Sequence, residues 1–118
     1  MRLAAIMAAA LLATSGGAAA AGFGFLSETP LARFNVDDVK LMNGAIDRAL
    51  AAGEVGTPVR WTGDGTRSSG EVTVQRAFES QGQACRDLRV VNRHRQLESA
   101  GVYTLCREGG AWRIVEIR

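Results

Sequence analysis

The chain has one histidine, His94, and two cysteines, Cys85 and Cys106. That scarcity excludes a tetrahedral zinc site, which takes four closely spaced Cys, His or carboxylate ligands. A histidine base needs a nucleophile within reach. No serine or cysteine here stands in a nucleophile-elbow pattern, so His94 reads as a solvated turn residue. The cysteines lack the Cys-x-x-Cys spacing of a redox couple, which leaves a structural bridge. Lys40 is the sole lysine, and basic and acidic residues nearly balance at a net charge of +2. There is then no global field to draw nucleic acid or anionic lipid. Asp64 is the one carboxylate in the loop 63–69, short of the set calcium requires, and Gly63 and Gly65 are too sparse for a phosphate loop. No cofactor and no metal are implied.

What is present begins with an address. Met1-Arg2 makes a minimal basic start, Leu3 to Ala13 is apolar, and Ala18-Ala19-Ala20 fits the small-x-small cleavage pattern. Residues 1–20 are therefore expected to be a signal peptide, with the mature chain starting at Ala21. The apolar run is shorter than the roughly 20 residues that span a bilayer. Because no charge falls between Leu3 and Leu26, an uncleaved anchor is the competing expectation. No cysteine lies near the cleavage point, which excludes a bacterial lipid anchor on an N-terminal cysteine. Export puts Cys85 and Cys106 in an oxidising compartment, where two cysteines in a small domain read as one disulfide.

Residues 21–34 lack a period and read as a linker. An amphipathic helix is expected over 36–52. Asn35 is its N-cap, with Asp38 three residues on as a variant capping box, and Gly53 is its stop. Val39, Met42, Ile46, Ala49 and Leu50 recur at helical spacing, while Asp37, Lys40, Gly44 and Asp47 mark the opposite stripe. After Pro58 the pattern changes to strands at 59–62, 71–78, 84–94, 96–107 and 111–117, separated by Gly-bearing or polar turns. One helix followed by a four- to five-stranded antiparallel meander is an α+β arrangement over residues 35–118. The expected core is Val39, Met42, Ile46, Leu50, Trp61, Val72, Val74, Phe78, Leu88, Val90, Tyr103, Leu105, Trp112 and Ile114.

The cysteines fix a register. If Arg95-Gln96 is a two-residue hairpin turn, residues whose numbers sum to 191 face each other, and Cys85 and Cys106 do. Counting outward from the closing pair makes theirs a non-hydrogen-bonded pair, with Cα atoms about 4.5 Å apart, a separation a disulfide accepts. Closing that loop is expected to add about 3 kcal/mol. The same register puts Leu88, Val90, Leu97, Tyr103 and Leu105 on one face, and Cys85, Asp87, Arg89, Glu98 and Thr104 on the other. Arg-Gln is poor chemistry for a turn that needs positive φ.

Arg86, Arg89, Arg93 and Arg95, with His94 among them, form a local basic stretch that is a candidate interaction patch for phosphate-bearing envelope polymers. The plainer reading is outward arginines paired with Asp87, Glu98 and Glu108. Trp61 and Trp112 are expected in the core, with a ligand groove beside either as the alternative.

Several of these residues occur in an order with a known counterpart. Trp61 is followed by Ser69-Gly70 and Val72-Thr73, then Gly82-Gln83-Ala84-Cys85-Arg86-Asp87, then Cys106-Arg107 and Gly110-Ala111-Trp112-Arg113-Ile114-Val115. Over residues 44–116 this resembles the C-terminal domain of the 17-kilodalton outer-membrane surface-antigen family of Gram-negative bacteria. The chain differs from that family in having neither a lipoprotein cysteine nor a glycine-zipper segment. The resemblance implies an envelope protein without assigned catalysis. The expected function is a non-catalytic structural or interaction module in the periplasm or at the outer membrane, partnered by envelope proteins or polymers. It would not bind nucleic acid, and its membrane association would be at most peripheral. The alternative is a soluble periplasmic small-ligand-binding or inhibitor domain. An apolar pocket with convergent polar groups would favour the alternative.

Overall fold

The computed structural model describes residues 29–118; the expected signal peptide and most of the expected linker lie outside them. A 3-10 turn at Pro30–Arg33 leads into helix α1 (Val36–Ala52). Five strands follow: β1 (Val59–Thr62), β2 (Ser68–Ser80), β3 (Gln83–His94), β4 (Leu97–Glu108) and β5 (Ala111–Ile117). They form one antiparallel sheet in sequence order, an α+β meander with one disulfide, as the periodicity predicts.

The helix begins where its cap dictates. The Asp38 N–H donates to Asn35 Oδ1 at 2.8 Å, and the Asn35 N–H returns the bond to Asp38 Oδ2 at 3.2 Å. Gly53 ends α1 in the left-handed conformation, its N–H donating to the Ala49 carbonyl. α1 packs on β1 and β2, burying Ala45, Ala49 and Leu50 against Trp61, Val72, Val74 and Leu88. Trp61 lies across Gly70, where any Cβ would collide with the indole and the Val91 carbonyl. The start of the segment read as a linker also belongs to the fold. Pro30 is buried, and the Phe34 ring meets Trp61 edge-on at 5.1 Å.

The β3–β4 hairpin has the predicted register. His94 faces Leu97, every pair sums to 191, and Cys85 faces Cys106 with Cα atoms 4.1 Å apart. Arg95 takes the unfavourable φ of 56°, and its N–H donates to the carbonyl of Arg67 at 3.0 Å. The neighbouring loop thus holds the turn that its own residues disfavour.

Of the expected core residues, Met42, Ile46, Tyr103 and Trp112 are half-buried at the core's margin, Val39 is half-buried outside it, and Phe78 and Ile114 leave it altogether. Gln75 is an extra residue in β2, so the ladder passes from Val74 opposite Leu88 to Arg76 opposite Asp87. The bulge reverses the phase and places Phe78 beside Cys85, on the face away from the helix, where it is half-buried under the Arg76 guanidinium. Ile114 is on the helix-bearing face, but α1 packs mainly on β1 and β2 at the other side of the sheet, and the side chain is 56% exposed.

Candidate functional site

Because α1 packs mainly on β1 and β2, an apolar groove of about 240 Å³ is left between it and the helix-bearing face of β3 to β5. Leu31, Met42 and Ile46 form one wall, and Val90, Tyr103 and Leu105 contribute to the floor. Leu31 stands here because the 3-10 turn packs against β3 and β4. Asn43 and Asn92 are its polar members, and the Oδ1 of the buried Asn92 has no hydrogen-bond partner. A buried amide oxygen left without a donor carries a desolvation cost that a donor from outside the chain would relieve.

The four candidate arginines do not form one patch. Strand alternation puts Arg86 on the helix-bearing face and Arg89 and Arg93 on the opposite one. Arg86 points at the C-terminal end of α1 by Gly53, the end of the helix dipole that favours a cation, and stacks on Trp112 at 5.2 Å. Arg93 holds Glu98 at 2.7 Å and Glu71 at 3.7 Å. Arg95 sits in the turn, beside an open cleft shared with Arg33 and His94. Of the two tryptophans, Trp61 is core, while Trp112 borders a separate cleft with Asp47, Arg86 and Arg107.

On the bare face, Cys85 and Cys106 are buried beside Asp87, which is only 5% exposed. Asp87 accepts from Thr104 Oγ1 at 2.7 Å and Arg76 Nε at 3.1 Å, and pairs with Arg118 at 3.3 Å. Burial pushes this carboxyl upward, but the bonds from Thr104 and Arg76 and the charges of Arg76 and Arg118 outweigh it. The net result lies below the usual carboxylate range.

A second buried carboxylate went unread in the sequence beyond its capping role. Asp38 also accepts from Thr66 Oγ1 at 2.8 Å, and Ser68 stands between it and His94, with Ser68 Oγ 2.8 Å from Nδ1. Desolvation raises the Asp38 carboxyl, yet the bonds from Thr66, the Asn35 backbone and Ser68, helped by His94, bring it below the ordinary value. In a hydrolytic triad the imidazole stands between the acid and the serine. Here the serine is in the middle and 1% exposed, so the group ties α1, the loop and the hairpin turn together. His94 is half-buried in this network instead of solvated.

Among the described residues no group of three or more His, Cys, Asp or Glu side chains is close enough to hold a metal ion. No described helix is long and apolar enough to cross a membrane. No family model, curated protein or solved structure matches the chain.

Proposed function

We propose that this protein is an exported, non-catalytic interaction module of the bacterial cell envelope, working in the periplasm or at the outer membrane. Its working surface is the groove beside α1, and its partner there is an apolar side chain of another envelope protein. One observation carries this reading: an apolar groove lies between α1 and the sheet, bordered by a buried amide oxygen without a hydrogen-bond partner. A volume of about 240 Å³ suits one or two side chains. It falls below the roughly 300–1,000 Å³ of most small-molecule sites. The signal-like start, the disulfide and the resemblance of the Cys85-Arg86-Asp87 and Trp112–Val115 segments to the surface-antigen family all support the envelope assignment.

The test is cross-linked pull-down of the exported protein from envelope fractions. Leu31 is 49% exposed on the groove wall, so Leu31→Asp removes the apolar lip without entering the core. The expected result is a defined protein adduct that Leu31→Asp abolishes and Arg89→Glu, on the bare face, preserves. An adduct indifferent to Leu31→Asp overturns the groove assignment. The unpaired Asn92 oxygen favours one second reading, a small apolar ligand carrying a single hydrogen-bond donor. Native mass spectrometry would then find a small molecule bound, lost in Asn92→Leu. Peptide mapping of the same material is expected to begin at Ala21, and an intact Met1 in a carbonate-resistant membrane fraction would overturn signal cleavage.

A further inference from the structure

β5 ends the sheet with one side of its backbone unpaired. Exposed edges are ordinarily blunted by Pro, charges, bulges or extreme shortness. β5 has no Pro and no Lys; it carries one charge of each sign, Arg113 and Glu116, and a bulge, and Ile114, Val115 and Ile117 are 56%, 60% and 66% exposed. The other edge, β1, is four residues long, and Trp61 in it is buried.

A β-bulge decides what β5 can pair with. Leu105 faces Ile114 while Thr104 faces Glu116, so Val115 is the additional residue. Trp112, which stacks on Arg86, and Ile117, opposite Tyr103, therefore both lie on the helix-bearing face. Arg113, opposite Cys106, and Glu116, opposite Thr104, both lie on the disulfide face.

We infer that β5 is a self-complementary edge through which two copies of this chain join in antiparallel fashion. The two-fold axis passes between Ile114 and Val115. In that register Trp112 meets Ile117 of the second copy, Arg113 meets Glu116, and Ile114 meets Val115. Each apolar residue meets an apolar one, and each of these two charges meets its opposite. Without the bulge this pairing could not form, because Trp112 and Ile117 are five residues apart and would point to opposite faces.

The backbone agrees. Arg118 and Val102 exchange both of their hydrogen bonds, at 2.7 and 2.9 Å, so the polar groups of Ile117 point away from β4. At the other end the two-residue turn Gly109-Gly110 closes with Glu108 opposite Ala111, a hydrogen-bonded pair, which turns Trp112 outward in the same way. Trp112 and Ile117 of opposite copies then form the hydrogen-bonded pairs. Arg113 and Glu116 form the close non-hydrogen-bonded ones, where side chains interact best. Glu116 already accepts from Arg118 at 2.9 Å, and a carboxylate has acceptor sites to spare for a second guanidinium.

Charge-swap sedimentation of the mature chain tests this. The expected wild-type result is a monomer–dimer equilibrium, with the Trp112 and Ile117 amides gaining exchange protection as concentration rises. Arg113→Glu or Glu116→Arg alone places like charges opposite each other twice per dimer, and each is expected to weaken dimerisation about tenfold. The double variant Arg113→Glu/Glu116→Arg is expected to restore it. A wild-type chain that stays monomeric up to its solubility limit overturns the inference. So does a dimer that survives both single swaps, since it would use another surface. Both side chains are exposed on the edge, and an intact Cys85–Cys106 bond in each variant confirms folding.

Discussion

The two faces of the sheet are held by different physics. Under α1 the contact is apolar: Ala45, Ala49 and Leu50 against Trp61, Val72, Val74 and Leu88. On the bare face no helix covers the strands. There a disulfide and a carboxylate gripped by Thr104, Arg76 and Arg118 occupy the middle of the sheet. A domain this small buries only about two-thirds of its unfolded surface, which leaves one hydrophobic layer and no second. The covalent and ionic links lie where that second layer is missing.

Breaking the bare face should therefore cost as much as cutting into the core. The double substitution Cys85→Ala/Cys106→Ala is expected to lose about 3 kcal/mol, from the closed loop it opens. Thermal unfolding should register this as a fall of more than about 12 °C. A loss below about 1 kcal/mol would mean that the bare face is held without its staple.

The two buried carboxylates extend the comparison, since Asp38 serves the helix and Asp87 the bare face. Both have folded-state values below the unfolded range of about 4. The unfolded chain then takes up protons first, so their stabilisation is complete above about pH 4 and fades as pH falls through the lower folded values. Asp87→Asn and Asp38→Asn are each expected to cost about 1–3 kcal/mol at neutral pH and to flatten part of the acid loss. Urea midpoints measured at neutral pH and down the acid limb would check both. An unchanged acid slope in Asp87→Asn would remove Asp87 from the account.

The smallest effect sharpens the contrast. Phe78 lies on the bare face because of the Gln75 bulge. Phe78→Ala should cost under about 1 kcal/mol, against about 3–5 for a phenylalanine truncated in a core. Chemical denaturation separates those outcomes easily.

Phe78 also shows where sequence reasoning stops. Val72, Val74 and Phe78 are an even number of residues apart, so strict alternation assigns all three to one face. Only the inserted Gln75 reverses the phase, and nothing in Val-Gln-Arg-Ala marks it. Arg113 to Ile117 hid the Val115 bulge in the same way, and with it the edge pairing. The β3–β4 register was legible because a two-residue turn and two cysteines over-determine one number. The groove was not, because its existence depends on where α1 comes to rest across the sheet, a property of side-chain packing with no local signature. A pocket beside Trp61 or Trp112 was the nearest expectation. Trp112 does border a cleft, but the apolar groove is bounded by Leu31, Ile46 and Tyr103. The Ser68–His94 contact joins residues 26 apart, and alternation gave no reason to single out that serine.

Helix ends are ordinarily the first parts of a fold to open, each on its own and at almost no cost. The first turn of α1 is denied that independence. Its capping carboxylate, Asp38, also receives Thr66 and is linked through Ser68 to His94 at the far end of β3. To fray, the helix must release the loop before β2 and loosen the hairpin with it. The amides of Asn35 and Asp38 should then exchange with solvent at the pace of the sheet. The entry into α1 becomes a poor place for a protease to begin.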